Sequence, residues 1–163
     1  LDEVETMTAL FVAIVSLLTL PCGDPIAWAR HRPGGAKAYA AELEQHVTQA
    51  ARTYDEDPFL VLAVAHSESG LDGTRVGPMG EVGLMQLMPH SQRGRAYLDA
   101  QGPQSVRDGV ALLLGAEALH QGRLVCGNEA AAVGWYKSGR CIVGPKVRAV
   151  IALRDRLRAG GGV

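Results

Sequence analysis

Residues 57 to 70 read Asp-Pro-Phe-Leu-Val-Leu-Ala-Val-Ala-His-Ser-Glu-Ser-Gly, and this stretch decides the fold. Asp57 is a helix-capping residue and Pro58 suits the first helical position, where an amide hydrogen is not needed. From Phe59 to Ala65 every residue is apolar, so a helix here has no polar face and must be buried all round. A run of this length could also be a buried strand, but the cap, the proline and the alanine content favour helix. Gly70 ends it.

Upstream, Tyr39, Leu43, Val47, Ala50, Ala51 and Tyr54 recur at helical spacing and predict an amphipathic helix over 36–54. Downstream, Gly73, Gly77, Pro78 and Gly80 exclude a regular element between Leu71 and Val82, leaving a long surface loop. Gly83 to Met88 reads as a short apolar turn ended by Pro89. Val106, Val110, Leu113, Leu114 and Ala118 give a third stripe over 105–121. Asn128 caps a short helix through Ala130 and Trp135 that Gly139 ends, and a last helix opens at Pro145 with Val147, Val150, Ile151 and Leu157 on one face. No repeat and no alternating strand pattern is present, so the fold class is all-α.

The chain has 163 residues, 47% of them hydrophobic, enough for one core and one domain. Its formal charge is −1, which lacks the basic excess needed to track a nucleic-acid backbone. Lys146, Arg148, Arg154, Arg156 and Arg158 give the last helix a basic face, read as solvated or as meeting an anionic surface.

Thr8 to Leu20 is a charge-free run, too short to span a bilayer and about the length of a secretory core segment. The preceding Asp2, Glu3 and Glu5 have the wrong sign for the start of a leader, unless translation begins at Met7. Two readings stand: residues 1–22 as a leader, or as an apolar helix packed on the domain. Pro21 to Gly35, rich in proline and glycine, predicts a linker over 23–35, with the folded domain at 36–163.

Cys126 and Cys141 flank a turn-rich segment and could close one loop, or remain two reduced thiols. Without a CxxC or CxxH pair there is no zinc signal. Cys22 lies in the N-terminal segment.

Glu68 carries the chemistry. A carboxylate in the last turn of an all-apolar helix meets both burial and the negative helix end, and each favours the protonated form that a general acid needs. The plain alternative is a glutamate at a frayed end pointing into water.

Three motifs weigh between these readings: Glu68-Ser69-Gly70, Gly83-Leu84-Met85-Gln86-Leu87-Met88-Pro89 and Trp135-Tyr136-Lys137-Ser138-Gly139. In residue content, order and spacing the sequence resembles the catalytic domain of the soluble (SLT) type of lytic transglycosylase, from about Ala36 to Leu157. The resemblance implies a lysozyme-like helical domain with the Gly- and Pro-bearing loop beside its active site. It implies cleavage of peptidoglycan glycan strands between N-acetylmuramic acid and N-acetylglucosamine, without cofactor or metal. Glu68 becomes the single catalytic carboxyl. By the resemblance Met85 and Gln86 line the glycan groove, although Met85 and Met88 read equally as core residues, Ser69 orients nearby groups or substrate, and Tyr136 places its hydroxyl near Glu68. The resemblance further implies a periplasmic or otherwise exported protein, expected as a monomer, and such domains also serve envelope secretion or conjugation machinery. Lys137 departs from the family's usual Asn, and Glu81 adds an acid where a neutral residue is common.

Glycosidases usually need two carboxyls, one on each side of the bond. With Glu68 alone, the muramic C6 hydroxyl would replace water as nucleophile and leave a 1,6-anhydro end. Asp72 and Glu81 keep a hydrolytic lysozyme open as the alternative, and a non-catalytic peptidoglycan-binding module is a third. His66, two residues before Glu68, falls on another helix face and reads as a core or partly exposed histidine.

Overall fold

The computed structural model describes residues 2–19 and 26–160, which form eight helices in chain order. These are α1 (Glu3–Leu18), α2 (Ala27–Arg30), α3 (Gly35–Tyr54), α4 (Pro58–Ser69), α5 (Gln92–Asp99), α6 (Gln104–Cys126), α7 (Glu129–Ser138) and α8 (Pro145–Arg158). Isolated β bridging joins Val82 with Val76 and Leu87. The all-α, lysozyme-like class expected from the sequence is the class observed.

Helix α4 is the axis of the molecule. Phe59 through Ala65 are all buried, and α8, α3, α1 and α6 pack around them. Burying a side chain the size of Leu60 or Leu62 is worth about 1.5–3 kcal/mol, so this run anchors the core. Its start forms as predicted: Asp57 accepts a hydrogen bond from the Phe59 amide at 3.0 Å. Asp57 also lies against Arg158 and 3.6 Å from Arg154, tying the start of α4 to the end of α8. Arg154 is itself buried and bridges Glu129, Asp155 and Asp57. Part of the basic face of the last helix is therefore committed to internal ion pairs.

Two boundaries differ from the sequence reading. Helix α6 runs five residues past the expected Gln121, because Gly122 is a packing glycine and not a helix end. A Cβ there would stand 3.0 Å from the Ala132 carbonyl oxygen, so its absence lets α7 approach, and Gly127 (φ 80°) provides the true stop. Helix α5 was not anticipated, since Gln92, Arg93, Gly94, Arg95 and Asp99 hide its short apolar face. Ser91 caps it by accepting from the Gly94 amide at 2.9 Å, and Tyr97 is buried beneath it.

Helix α1 lays Leu10, Ala13, Ile14, Leu17 and Leu18 into the core against α3, α8 and α4. No helix among the described residues is long and apolar enough to cross a membrane. The stretch expected as a linker differs from that reading from Ile26 onward: Ala29 in α2 is fully buried, and Arg32 reaches Asp108 at 2.8 Å. The expectation for Cys22 falls outside the described residues.

Asp108 is 1% exposed and also accepts from Gln104 at 2.7 Å. Burial outweighs these partners and raises its carboxyl from 3.8 to about 6. A carboxyl whose value is higher in the folded state stabilises the fold fully below its unfolded value, and that stability is lost as pH rises through the folded value. Asp108→Asn, neutral throughout, therefore gains on the wild type by up to about 3 kcal/mol as pH climbs through this window. Denaturant titrations across that range check it, and a difference independent of pH would contradict it.

Candidate active site

Glu68 sits in the last turn of α4, where the Gly70 amide (φ 67°) closes the helix by donating a hydrogen bond to the His66 carbonyl at 2.8 Å. Its side chain, 19% exposed, opens into a cavity of about 950 Å³. Three parts of the chain supply the other walls. The loop between α4 and α5 brings Glu81, Gln86 and Met88, and α7 brings Gly134, Tyr136 and Lys137. Segment 138–147 completes the cavity with Arg140, Ile142 and Lys146 among its residues.

The third wall was missed in the sequence reading, although the cysteine spacing contained its signal. Cys126 and Cys141 are joined in a disulfide with Cα atoms 5.5 Å apart, which fastens the segment after α7 to the end of α6. Gly134 lets that segment lie directly on α7, since a Cβ there would stand 2.2 Å from the Ile142 carbonyl oxygen.

The predicted site residues separate into two groups. Glu68, Gln86 and Tyr136 are brought together on the cavity wall. Gln86, at φ 45°, donates through Nε2 to the carbonyls of Gly83 (2.9 Å) and Arg75 (3.1 Å), clasping the loop that carries it. Met85 and Ser69 do not line the cavity. Met85 is fully buried, with its side chain against Gly115 of α6. Ser69, the last residue of α4, is 3% exposed and its hydroxyl donates back to the Ala65 carbonyl at 3.1 Å.

Tyr136 also differs from expectation in its partner. Its hydroxyl donates to the Met85 carbonyl at 2.5 Å, not to Glu68. Burial, and next the Glu68 charge, push its phenol well above the usual range, so it remains a neutral donor. Tyr136→Phe leaves the Met85 carbonyl without this partner, which costs about 1–3 kcal/mol and frees the second motif from α7. A melting temperature lower by several degrees, with weakened activity, is the expected result; an unchanged melt would contradict it.

Glu68 is held by Lys137, whose ammonium contacts Glu68 Oε1 and reaches Ser67 Oγ at 3.3 Å. The isolated carboxyl anticipated from the apolar helix is therefore replaced by an ion pair. Of the two alternative acids, Asp72 turns away into its own loop, accepting from the Thr74 amide (2.9 Å) and hydroxyl (2.7 Å). Glu81 does face the cavity, with one oxygen accepting from the Met79 amide at 2.9 Å. His66 is half-buried, and burial lowers its imidazole below the usual range. Among the described residues no cluster of His, Cys, Asp or Glu forms a metal site.

A carboxylate opening into a cavity walled by a loop carrying Gly-Leu-Met-Gln and a helix carrying Trp-Tyr-Lys-Ser-Gly is the arrangement expected of a glycan-cleaving site. Residues 45–157 match the family model of the transglycosylase SLT domain, and the chain belongs to that family. It is an enzyme, a lytic transglycosylase, and its substrate is the glycan strand of peptidoglycan.

Proposed function

We propose that the enzyme cleaves the bond between N-acetylmuramic acid and N-acetylglucosamine with Glu68 as its single acid and base, leaving a 1,6-anhydromuramic end. The observation that carries this reading is the position of Glu68, a carboxyl on a rigid buried helix opening into the cavity between all three motifs. Protonated Glu68 gives its proton to the glycosidic oxygen, and the bond from that oxygen to the muramic anomeric carbon breaks. The substrate's own acetamido oxygen supports the electron-poor carbon. Glu68, now a carboxylate, takes the proton of the muramic C6 hydroxyl as O6 bonds to the anomeric carbon, which restores the acid and consumes no water. The nucleophile is tethered in the same sugar, so proximity supplies much of the rate. Gln86 and Tyr136 shape the groove, Gln86 by pinning its loop and Tyr136 by tying that loop to α7.

Export to the cell envelope belongs to this reading. The Cys126–Cys141 disulfide supports it, since such bonds persist in oxidising compartments.

Glu81 favours one second reading. It shares the cavity with Glu68, so a hydrolytic lysozyme with Glu81 as the second carboxyl is the competing chemistry. Borohydride treatment of the digested peptidoglycan separates the two. Anhydro ends have no free hemiacetal and resist reduction, as proposed, whereas hydrolytic ends are reduced and gain two hydrogens.

A further inference from the structure

Glu68 stands in the C-terminal turn of α4, and Lys137 in the C-terminal turn of α7. A helix C-terminus carries partial negative charge, which disfavours an anion and favours a cation. The ammonium of Lys137 links the two ends beside the cavity, bridging Glu68 and Ser67. Both side chains of the pair are more than four-fifths buried, at 18% and 19% exposure, so solvent screens their contact little. The other titratable groups lining the cavity are Glu81 from the α4–α5 loop, Tyr136 from α7, Arg140 from the α7–α8 segment and Lys146 from the first turn of α8, with Gln86 and Ser138 as neutral polar neighbours. Tyr136 is neutral and bonded to Met85, Glu81 is engaged by the Met79 amide, and Arg140 and Lys146 are exposed to solvent. Lys137 is thus the cation in direct contact with the carboxyl.

Resting on the acid–base role of Glu68 given above, we propose that Lys137 is a positioning residue that holds the Glu68 carboxylate in place between its two proton transfers. Glu68 must pass from acid to carboxylate and back within one turnover. A fixed ammonium stabilises the middle stage, in which the helix ends alone would oppose the charge. Lysine reaches both Glu68 and Ser67 because its ammonium has three donors, and arginine preserves the charge and the forked reach.

The test is kcat and KM on purified peptidoglycan for the full chain, for Lys137→Met and for Lys137→Arg, with melting curves for each. Lys137→Met is expected to lower kcat by roughly tenfold, or about 1.4 kcal/mol, with KM and the melting temperature close to wild type. Lys137→Arg is expected to recover most of that loss. A kcat within a few-fold of wild type in Lys137→Met, or one that falls equally in both variants, overturns the proposal and makes Lys137 a packing residue. A Glu68→Gln control that retains activity would instead overturn the acid–base role itself. The crystal structure of Lys137→Met then decides the Lys137 contact without activity: a Glu68 carboxyl turned from its wild-type position supports it, and an unmoved one overturns it.

Discussion

Glu68→Gln is expected to lower the release of soluble fragments from peptidoglycan by at least about a hundredfold while leaving the melting temperature close to that of the wild type. The amide keeps the size of the carboxyl and an oxygen for Lys137 to contact, so α4 and its Gly70 cap have no reason to change. What it loses is the proton. Gln cannot protonate the glycosidic oxygen, nor take a proton from the C6 hydroxyl, and both halves of the proposed reaction fail together. A loss of this size corresponds to at least about 2.7 kcal/mol of transition-state stabilisation. Release within a few-fold of wild type would remove Glu68 from the chemistry. Attention would then pass to Glu81, which shares the cavity, or to a role in binding the wall without cleaving it.

The second large effect concerns the Cys126–Cys141 bridge. Replacing both cysteines by serine is expected to cost about 3 kcal/mol, the loop-closure contribution for a loop of this length, and to lower the melting temperature by roughly 6–12 °C. The change also reaches the site. The bridge holds the segment that carries Arg140 and Ile142 against α7, so KM for the glycan should rise more than kcat falls. Denaturant unfolding with and without reductant provides the check, and equal stability in the two conditions would contradict the account.

Helix ends were legible in the sequence wherever the signal was local. Asp57 and Asn128 accept hydrogen bonds from the first turns of α4 and α7, and Gly70 and Gly139 close those helices in the left-handed conformation. The apolar run of α4 announced its own burial. The candidate site was legible as a set of motifs, because Glu68, Gln86 and Tyr136 come from three distant segments that the fold brings to one cavity.

The missed features were tertiary. The stripe from Val106 to Ala118 does not reveal that α6 continues through Gly122, whose role is to let α7 pack across it. Tyr136 could not be assigned to the Met85 carbonyl, since a main-chain oxygen leaves no trace in residue type. Met85 reads equally as groove or core until Gly115 is seen to make room for it. Lys137 stood out as a departure from the family's pattern, yet its contact with Glu68 depends on how the ends of α4 and α7 converge.

The central claim is that Glu68 drives cleavage without water, and digestion of peptidoglycan in heavy-oxygen water tests it most directly. Intramolecular attack by the C6 hydroxyl predicts fragments that carry no label and are lighter by one water than hydrolytic products. Heavy oxygen at the new muramic ends would contradict the account and establish hydrolysis in its place.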